Sequence, residues 1–227
     1  MNLRLFSFLD LNDTVDACRP YLEKQSEASV AYLPLASLVP ERWLDQIERE
    51  FKGLARLAIV NTETMPADEI EAILRRAHLV LIPGGNTYLL NHRLQLSRLA
   101  AFLRKKIQSG LPLVASSAGT VLCGPNILTT NDLNMVDTPY FKSLDLAPFN
   151  FNVHYPTDPV AQAERDERLA DYHVFHDNPV LLLTDSACVQ IDKGGTKLVH
   201  GEAWILRAGK EKERLEPGQA VIATELQ

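Results

Sequence analysis

Cysteine is scarce in this chain: Cys18, Cys123 and Cys188 are the only three among 227 residues. An odd count at wide spacing cannot build a disulfide framework, and reduced thiols suit the cytosol. No cysteines and histidines pair at zinc-ligand spacing, and His78, His92, His173, His176 and His200 are scattered. No apolar stretch approaches the ~20 residues needed to span a bilayer. The stretch from Met1 to Asp10 is apolar only briefly and then acidic, without the apolar core and cleavage site of a secretory signal. Positive charge is also in short supply. With 23 basic against 29 acidic residues the net charge is -6, which gives no support for a nucleic-acid or anionic-membrane partner. Repeats, low-complexity segments and linkers are missing too. These absences lead to the expectation of one cytoplasmic domain over residues 1–227, with no cofactor and no metal.

What is present is a rhythm of short apolar runs and amphipathic stretches. Leu3 to Leu9, Ser29 to Leu35, Leu54 to Asn61, Leu79 to Ile82 and Leu111 to Ala115 read as strands. Val15 to Lys24, Pro40 to Phe51, the segment from Pro66 to Arg76 and Tyr88 to Ser109 read as helices. The third of these has Asp68 and Glu69 at its start and Arg75 and Arg76 at its end, the polarity a helix dipole favours. The alternation predicts an α/β fold with a mostly parallel sheet covered by helices on both faces. The second half is less regular. Val180 to Thr184, a hairpin from Val189 to Val199 closed at Lys193-Gly194-Gly195-Thr196, Trp204 to Arg207 and Gln219 to Ala223 predict a small antiparallel C-terminal extension.

The segment that carries chemistry is Leu111-Pro112-Leu113-Val114-Ala115-Ser116-Ser117-Ala118-Gly119-Thr120. An apolar strand runs directly into a serine, two small residues and a helix. A serine hydroxyl becomes a nucleophile only when held in the open beside a base. A sharp strand-to-helix turn does this, and small neighbours relieve the crowding. The following helix directs its positive end at a developing oxyanion. Ala115 replaces the first glycine of the esterase G-x-S-x-G pattern. A tight turn with a helix-capping serine is the plain alternative. Ser116 is the rival nucleophile, and Ser117 is preferred because it directly precedes Ala118-Gly119.

Three further segments bear on the choice. Ile82-Pro83-Gly84-Gly85-Asn86-Thr87 ends a strand and opens a helix, where glycines leave backbone N–H groups free to face an anion. One such N–H, together with that of Ala118, would form an oxyanion hole. A dinucleotide loop is the alternative, but the G-x-G-x-x-G spacing is absent. Thr129-Thr130-Asn131-Asp132 is a polar cluster that alone reads as a turn. His154, in Phe151-Asn152-Val153-His154-Tyr155, is a candidate base or else a satisfied core histidine.

In this order and spacing the segments resemble peptidase E, the aspartyl dipeptidase family that also includes the cyanophycinases. The resemblance runs from about Leu3 to Gly209. It implies a serine-nucleophile version of the class I glutamine amidotransferase-like fold. It implies a serine peptidase hydrolysing short peptides with a free N-terminus, a dipeptidase or aminopeptidase with a preference for N-terminal Asp. By the resemblance Ser117 attacks, His154 takes its proton, and Gly85 and Ala118 supply the oxyanion-hole N–H groups. Asn86 and Asp132 lie at the substrate, Asp132 facing its free amine. Arg165 and Arg168 fall where the family has arginines, and Arg165 is the candidate for an aspartyl carboxylate, unless both belong to a solvated, ion-paired helix face. Cys123 reads as packing. The chain departs from the family at the third triad member. The family's glutamate has no counterpart in Leu183-Thr184-Asp185-Ser186-Ala187-Cys188-Val189, and Asp185 is the nearest acid. The partner expected is a short peptide substrate, with a homodimer as an open option. The competing expectation is a catalytically inactive amidotransferase-like binding domain that kept the serine turn and lost its acid.

Overall fold

The computed structural model describes residues 1–221. The first half alternates as expected: β1 (Leu3–Phe6), α1 (Leu11–Leu22), β2 (Ser29–Tyr32), α2 (Glu41–Phe51), β3 (Arg56–Ile59), α3 (Ala67–Arg76), β4 (Leu79–Ile82), α4 (Thr87–Leu96), α5 (Leu99–Gln108), β5 (Leu113–Ser116) and α6 (Ala118–Val121). The second half holds β6 (Asn150–Asn152), α7 (Pro159–His173), β7 (Val180–Leu183), β8 (Cys188–Asp192), β9 (Gly195–His200), β10 (Ala203–Leu206) and β11 (Glu213–Leu215).

Seven strands form one sheet in the order β3-β2-β4-β5-β1-β8-β9. The pairs from β3 to β1 are parallel, and β8 and β9 add an antiparallel edge. Successive residues point to opposite faces. Leu3, Leu5, Ala31, Val80, Ile82, Leu113 and Ala115 pack with Ile70 and Leu74 of α3, Leu90 of α4 and Leu103 of α5. Val30, Tyr32, Leu79, Leu81 and Val114 pack on the other face with Val15, Cys18 and Leu22 of α1 and Ile47 and Phe51 of α2. Each large side chain so buried contributes roughly 1.5–3 kcal/mol, which is why these strands read as continuous apolar runs.

Three details differ from the sequence expectation. The long helix from Tyr88 to Ser109 is two helices, because Ser97 donates its hydroxyl to the Arg93 carbonyl at 2.7 Å and Arg98 turns left-handed at φ 59°. The chain then restarts with Leu99, Leu103 and Ile107 facing the core. The C-terminal strands divide between two sheets: β8 and β9 extend the large one, while a small sheet runs β11-β10-β7-β6 with β6 and β7 parallel. Of the strand expected from Gln219 to Ala223, only Ala220 pairs, with Lys197, and Ile222 and Ala223 lie outside the described residues. Among the described residues no helix is long and apolar enough to cross a membrane.

The topology brings several strand ends together. Ser117 leaves the carboxyl end of β5, the glycine loop that of β4 and Ser7 that of β1. His154 follows β6 and Asp185 follows β7. In open α/β sheets this edge, just beyond the carboxyl ends of parallel strands, is where ligands bind.

Candidate active site

Ser117 stands at φ 52° and ψ -114°, outside the regions that L-residues favour. Such a conformation costs about 1–3 kcal/mol and persists only when its surroundings over-determine it. Here the Ser117 N–H donates to the Phe6 carbonyl at 3.0 Å, tying the turn to β1. The small neighbours are needed for space. A Cβ on Gly119 would fall 2.6 Å from the Ile82 carbonyl oxygen, and one on Gly84 would fall 3.0 Å from the Ser117 Cβ. The helix after Ser117 has only four residues. Few peptide dipoles are therefore aligned, so any help to an oxyanion comes from single N–H groups. Ser116, the rival, is buried inside β5 opposite Phe6.

The imidazole of His154 lies beside the Ser117 hydroxyl, with Nε2 2.8 Å from Oγ. On its other side Nδ1 is 2.5 Å from Oδ1 of Asp185. A carboxylate only accepts, so Nδ1 carries the proton and Nε2 is left to accept from Ser117. The His154 side chain is 40% exposed and that of Asp185 69% exposed. Asp185 is therefore screened by water, and His154 is its one hydrogen-bond partner among the described residues. The structure thus brings Ser117, His154 and Asp185 into one hydrogen-bonded line.

Ser7 was not visible as a site residue in the sequence. Its side chain is fully buried. The hydroxyl accepts from the His154 N–H at 2.8 Å and donates to the Leu183 carbonyl at 3.0 Å, while its own N–H donates to Ala187 at 3.1 Å. His154 also has a positive φ, 54°, which this contact helps to hold. Phe6 and Ser7 together touch the segments carrying all three residues of the line. Ser7→Ala would leave the His154 N–H without its acceptor, at a cost of about 1–3 kcal/mol before relaxation, while the Leu183 carbonyl keeps the bond from the Tyr155 N–H at 2.9 Å. The expected result is a lower melting temperature together with a roughly 10- to 100-fold fall in kcat at near-constant KM. A stability loss with kcat unchanged would leave Ser7 a purely structural residue.

The N–H groups of Gly85 and Ala118 make no hydrogen bond among the described residues, so both are free to donate. Asn86 is engaged at both ends: Oδ1 accepts from Leu89, capping α4, and Nδ2 donates to the Leu133 carbonyl. Asp132 accepts from the Thr87 N–H at 2.7 Å and the Thr130 hydroxyl at 3.2 Å, both through Oδ2. Its Oδ1 has no partner among the described residues. Arg165 is half-buried and donates to Asn152 Oδ1 at 3.0 Å. Burial, and then the Arg168 charge, pull its pKa below the ordinary value. Arg168 is exposed. Burial raises the Tyr88 pKa, Asp132 raises it further and Arg168 lowers it, so the fields of both charges reach one phenol. Cys123 is buried, its thiol donating to Gly119, with burial pushing its pKa up. No cluster of metal-ligating side chains occurs among the described residues. A cavity of about 740 Å³ against α7 and β10 includes Asp166, His173 and Lys212 in its lining and contains none of the residues in the line.

A serine on a strained turn, an imidazole accepting from it and a carboxylate orienting the imidazole are the parts of a serine hydrolase, and this chain is one. More narrowly, it belongs to peptidase family S51, whose model matches residues 6–199. The chain is 37% identical over 155 residues to a Drosophila melanogaster protein named "Probable alpha-aspartyl dipeptidase", a match covering 65% of this chain and 64% of that one. It is 30% identical to peptidase E of Streptomyces coelicolor over 230 residues, covering 96% of this chain and 92% of the relative. A crystal structure of a peptidase from an acI-B1 actinobacterium superposes with a TM-score of 0.72 at 16% identity, over 97% of this chain and 96% of that one, a likeness of fold. The family resemblance read from the motifs therefore holds, and the chain is a peptidase.

Proposed function

We propose that this peptidase is a dipeptidase selective for an N-terminal aspartyl residue, acting through Ser117, His154 and Asp185. The observation that carries the reading is the unbroken line of hydrogen bonds from the Ser117 hydroxyl to the Asp185 carboxylate. Ser117 Oγ attacks the peptide carbonyl carbon while His154 Nε2 takes its proton. The resulting oxyanion accepts from Gly85 and Ala118, and the proton passes from Nε2 to the leaving amine as the C–N bond breaks. Water then attacks the acyl-enzyme, with His154 as base, and releases the N-terminal residue and Ser117. Asp185 stays ionised and stabilises the imidazolium.

In this reading the unpartnered Oδ1 of Asp132 receives the substrate ammonium, and Asn86 acts indirectly by shaping the glycine loop. Of the two arginines, Arg168 takes the aspartyl carboxylate. Arg165 is already bonded to Asn152, while Arg168 is exposed and shares with Asp132 an influence on Tyr88. A guanidinium–carboxylate bond of this kind contributes about 1.5–3 kcal/mol.

Steady-state kinetics on paired dipeptides, Asp-Leu and Ala-Leu, test the reading. The parent is expected to prefer Asp-Leu. Arg168→Ala should lower kcat/KM for Asp-Leu about 10- to 100-fold with little change for Ala-Leu. Arg165→Ala should affect both substrates alike, through Asn152. Equal losses on both dipeptides in Arg168→Ala would remove its role in selectivity, and a parent with no aspartyl preference would remove the selectivity itself.

A further inference from the structure

Asp185 is held by almost nothing of its own. Its carboxylate is 69% exposed, and the contact with His154 is its one side-chain hydrogen bond among the described residues. An exposed aspartate samples several rotamers, so a short contact to Nδ1 depends on where the backbone puts its Cα. That backbone is braced, and the brace is the turn that carries the chain from β9 in the large sheet to β10 in the small one. At the joint between β9 and β10, His200 donates Nδ1–H to the Ser186 carbonyl at 2.8 Å. The Glu202 carbonyl accepts from both the N–H and the hydroxyl of Thr184, at 3.1 and 3.0 Å. A hydroxyl has one hydrogen, so Thr184 can only accept from Ser186 Oγ, 3.2 Å away, which closes the loop on itself. Between these anchors Gly201 lies flush against the loop. Its φ is +83°, and a Cβ there would stand 2.4 Å from the Ser186 carbonyl oxygen and 2.4 Å from the Ala187 Cα. The Glu202 carboxylate pairs with Arg214 of β11 at 2.7 Å, which anchors the turn to the small sheet.

We propose that the turn His200–Gly201–Glu202 is the positioning device for the acid of the active site: it sets the backbone of Thr184 to Ala187 so that a short, solvent-exposed aspartate reaches His154. His200, Gly201 and Glu202 act through Asp185 and touch no reacting atom. The inference rests on Asp185 being the acid of the proposed mechanism. Two contacts compete with the turn for the same job. Ala187 donates to Thr184 within the loop at 2.9 Å, and Ser7 donates to Ala187 at 3.1 Å. If these sufficed, the turn would be dispensable for rate.

The test is a kinetic series on the intact chain with an aspartyl dipeptide, each variant checked by its melting curve. His200→Ala removes the donor to Ser186, and His200→Asn restores an N–H at nearly the Nδ1 position. Since displacements of an ångström cost up to about 100-fold, His200→Ala is expected to lose roughly tenfold in kcat with KM unchanged, and His200→Asn to recover most of it. Gly201→Ala pushes on the Ser186–Ala187 backbone and should lose about 100-fold. Combining it with Asp185→Glu, whose extra methylene restores reach, should regain about tenfold over Gly201→Ala alone, a non-additive outcome that lost stability would not produce. Should Gly201→Ala fail to fold, the His200 pair decides. Asp185→Asn separates the two levels of inference. If it keeps parental activity, the acid is misassigned and the turn loses its role with it. If it is crippled while His200→Ala and Gly201→Ala keep parental kcat, the mechanism stands and the positioning role of the turn is overturned.

Discussion

Ser117→Ala is expected to abolish dipeptide hydrolysis, by roughly 10⁴-fold or more, while leaving the melting temperature within a degree or two of the parent. The size of the effect follows from covalency. Without Oγ there is no acyl-enzyme, and a water placed by His154 must do the whole reaction. The small effect on folding follows from the contacts. The elbow is held by its backbone N–H to Phe6, by packing under Gly119 and by strand pairing of β5 with β1, none of which uses the hydroxyl. Among the described residues the hydroxyl's one hydrogen-bond partner is His154. A fluorophosphonate probe should label the parent at Ser117 and leave the variant unlabelled. Unchanged turnover in Ser117→Ala would end the covalent mechanism, and labelling at Ser116 would transfer the nucleophile to its neighbour.

Asp185→Asn carries the second-largest expected effect, and its exposure sets the scale. A buried triad carboxylate exchanged for an amide costs about 10⁴-fold, because the amide favours the wrong imidazole tautomer and gives the imidazolium no charge. At Asp185 water already screens the charge, and an exposed asparagine can rotate its carbonyl oxygen toward Nδ1. A fall of roughly 10²- to 10³-fold in kcat is therefore expected, with KM within a few-fold of the parent. Single-turnover acylation by an activated ester, less dependent on leaving-group protonation, should fall by less than peptide hydrolysis. A loss under about threefold would reduce the site to a Ser117–His154 pair.

The parts of the site that were legible in the sequence are those whose signal is local. A strand running into Ser117-Ala118-Gly119 and another into Gly84-Gly85-Asn86 are recognisable within ten residues, because crowding at a strand-to-helix turn admits few residue types. The break at Ser97-Arg98 was missed because it hangs on one hydroxyl back-bonding to a carbonyl, against an otherwise good helical pattern. Ser7 carried no signal, since its partner His154 lies 147 residues away and a serine after a strand is unremarkable. The arginines show a further limit. Arg165 and Arg168 lie three apart on one helix and so share a face, and the contact with Asn152 together with the half-burial of Arg165 tells them apart.

Alternating apolar runs, small residues at two strand ends and a histidine at a third determined an α/β sheet with a serine on its carboxyl edge, because strand period and turn sterics act over a few residues and need no partner. Tertiary structure alone decided that Ser7 would join the His154 backbone to the strand before Asp185, that Arg165 would be bonded to Asn152, and that Gly201 would lie flush against Ser186 and Ala187. Those outcomes depend on distances between segments far apart in the chain, which are settled only when the two sheets bury their faces and bring those segments together.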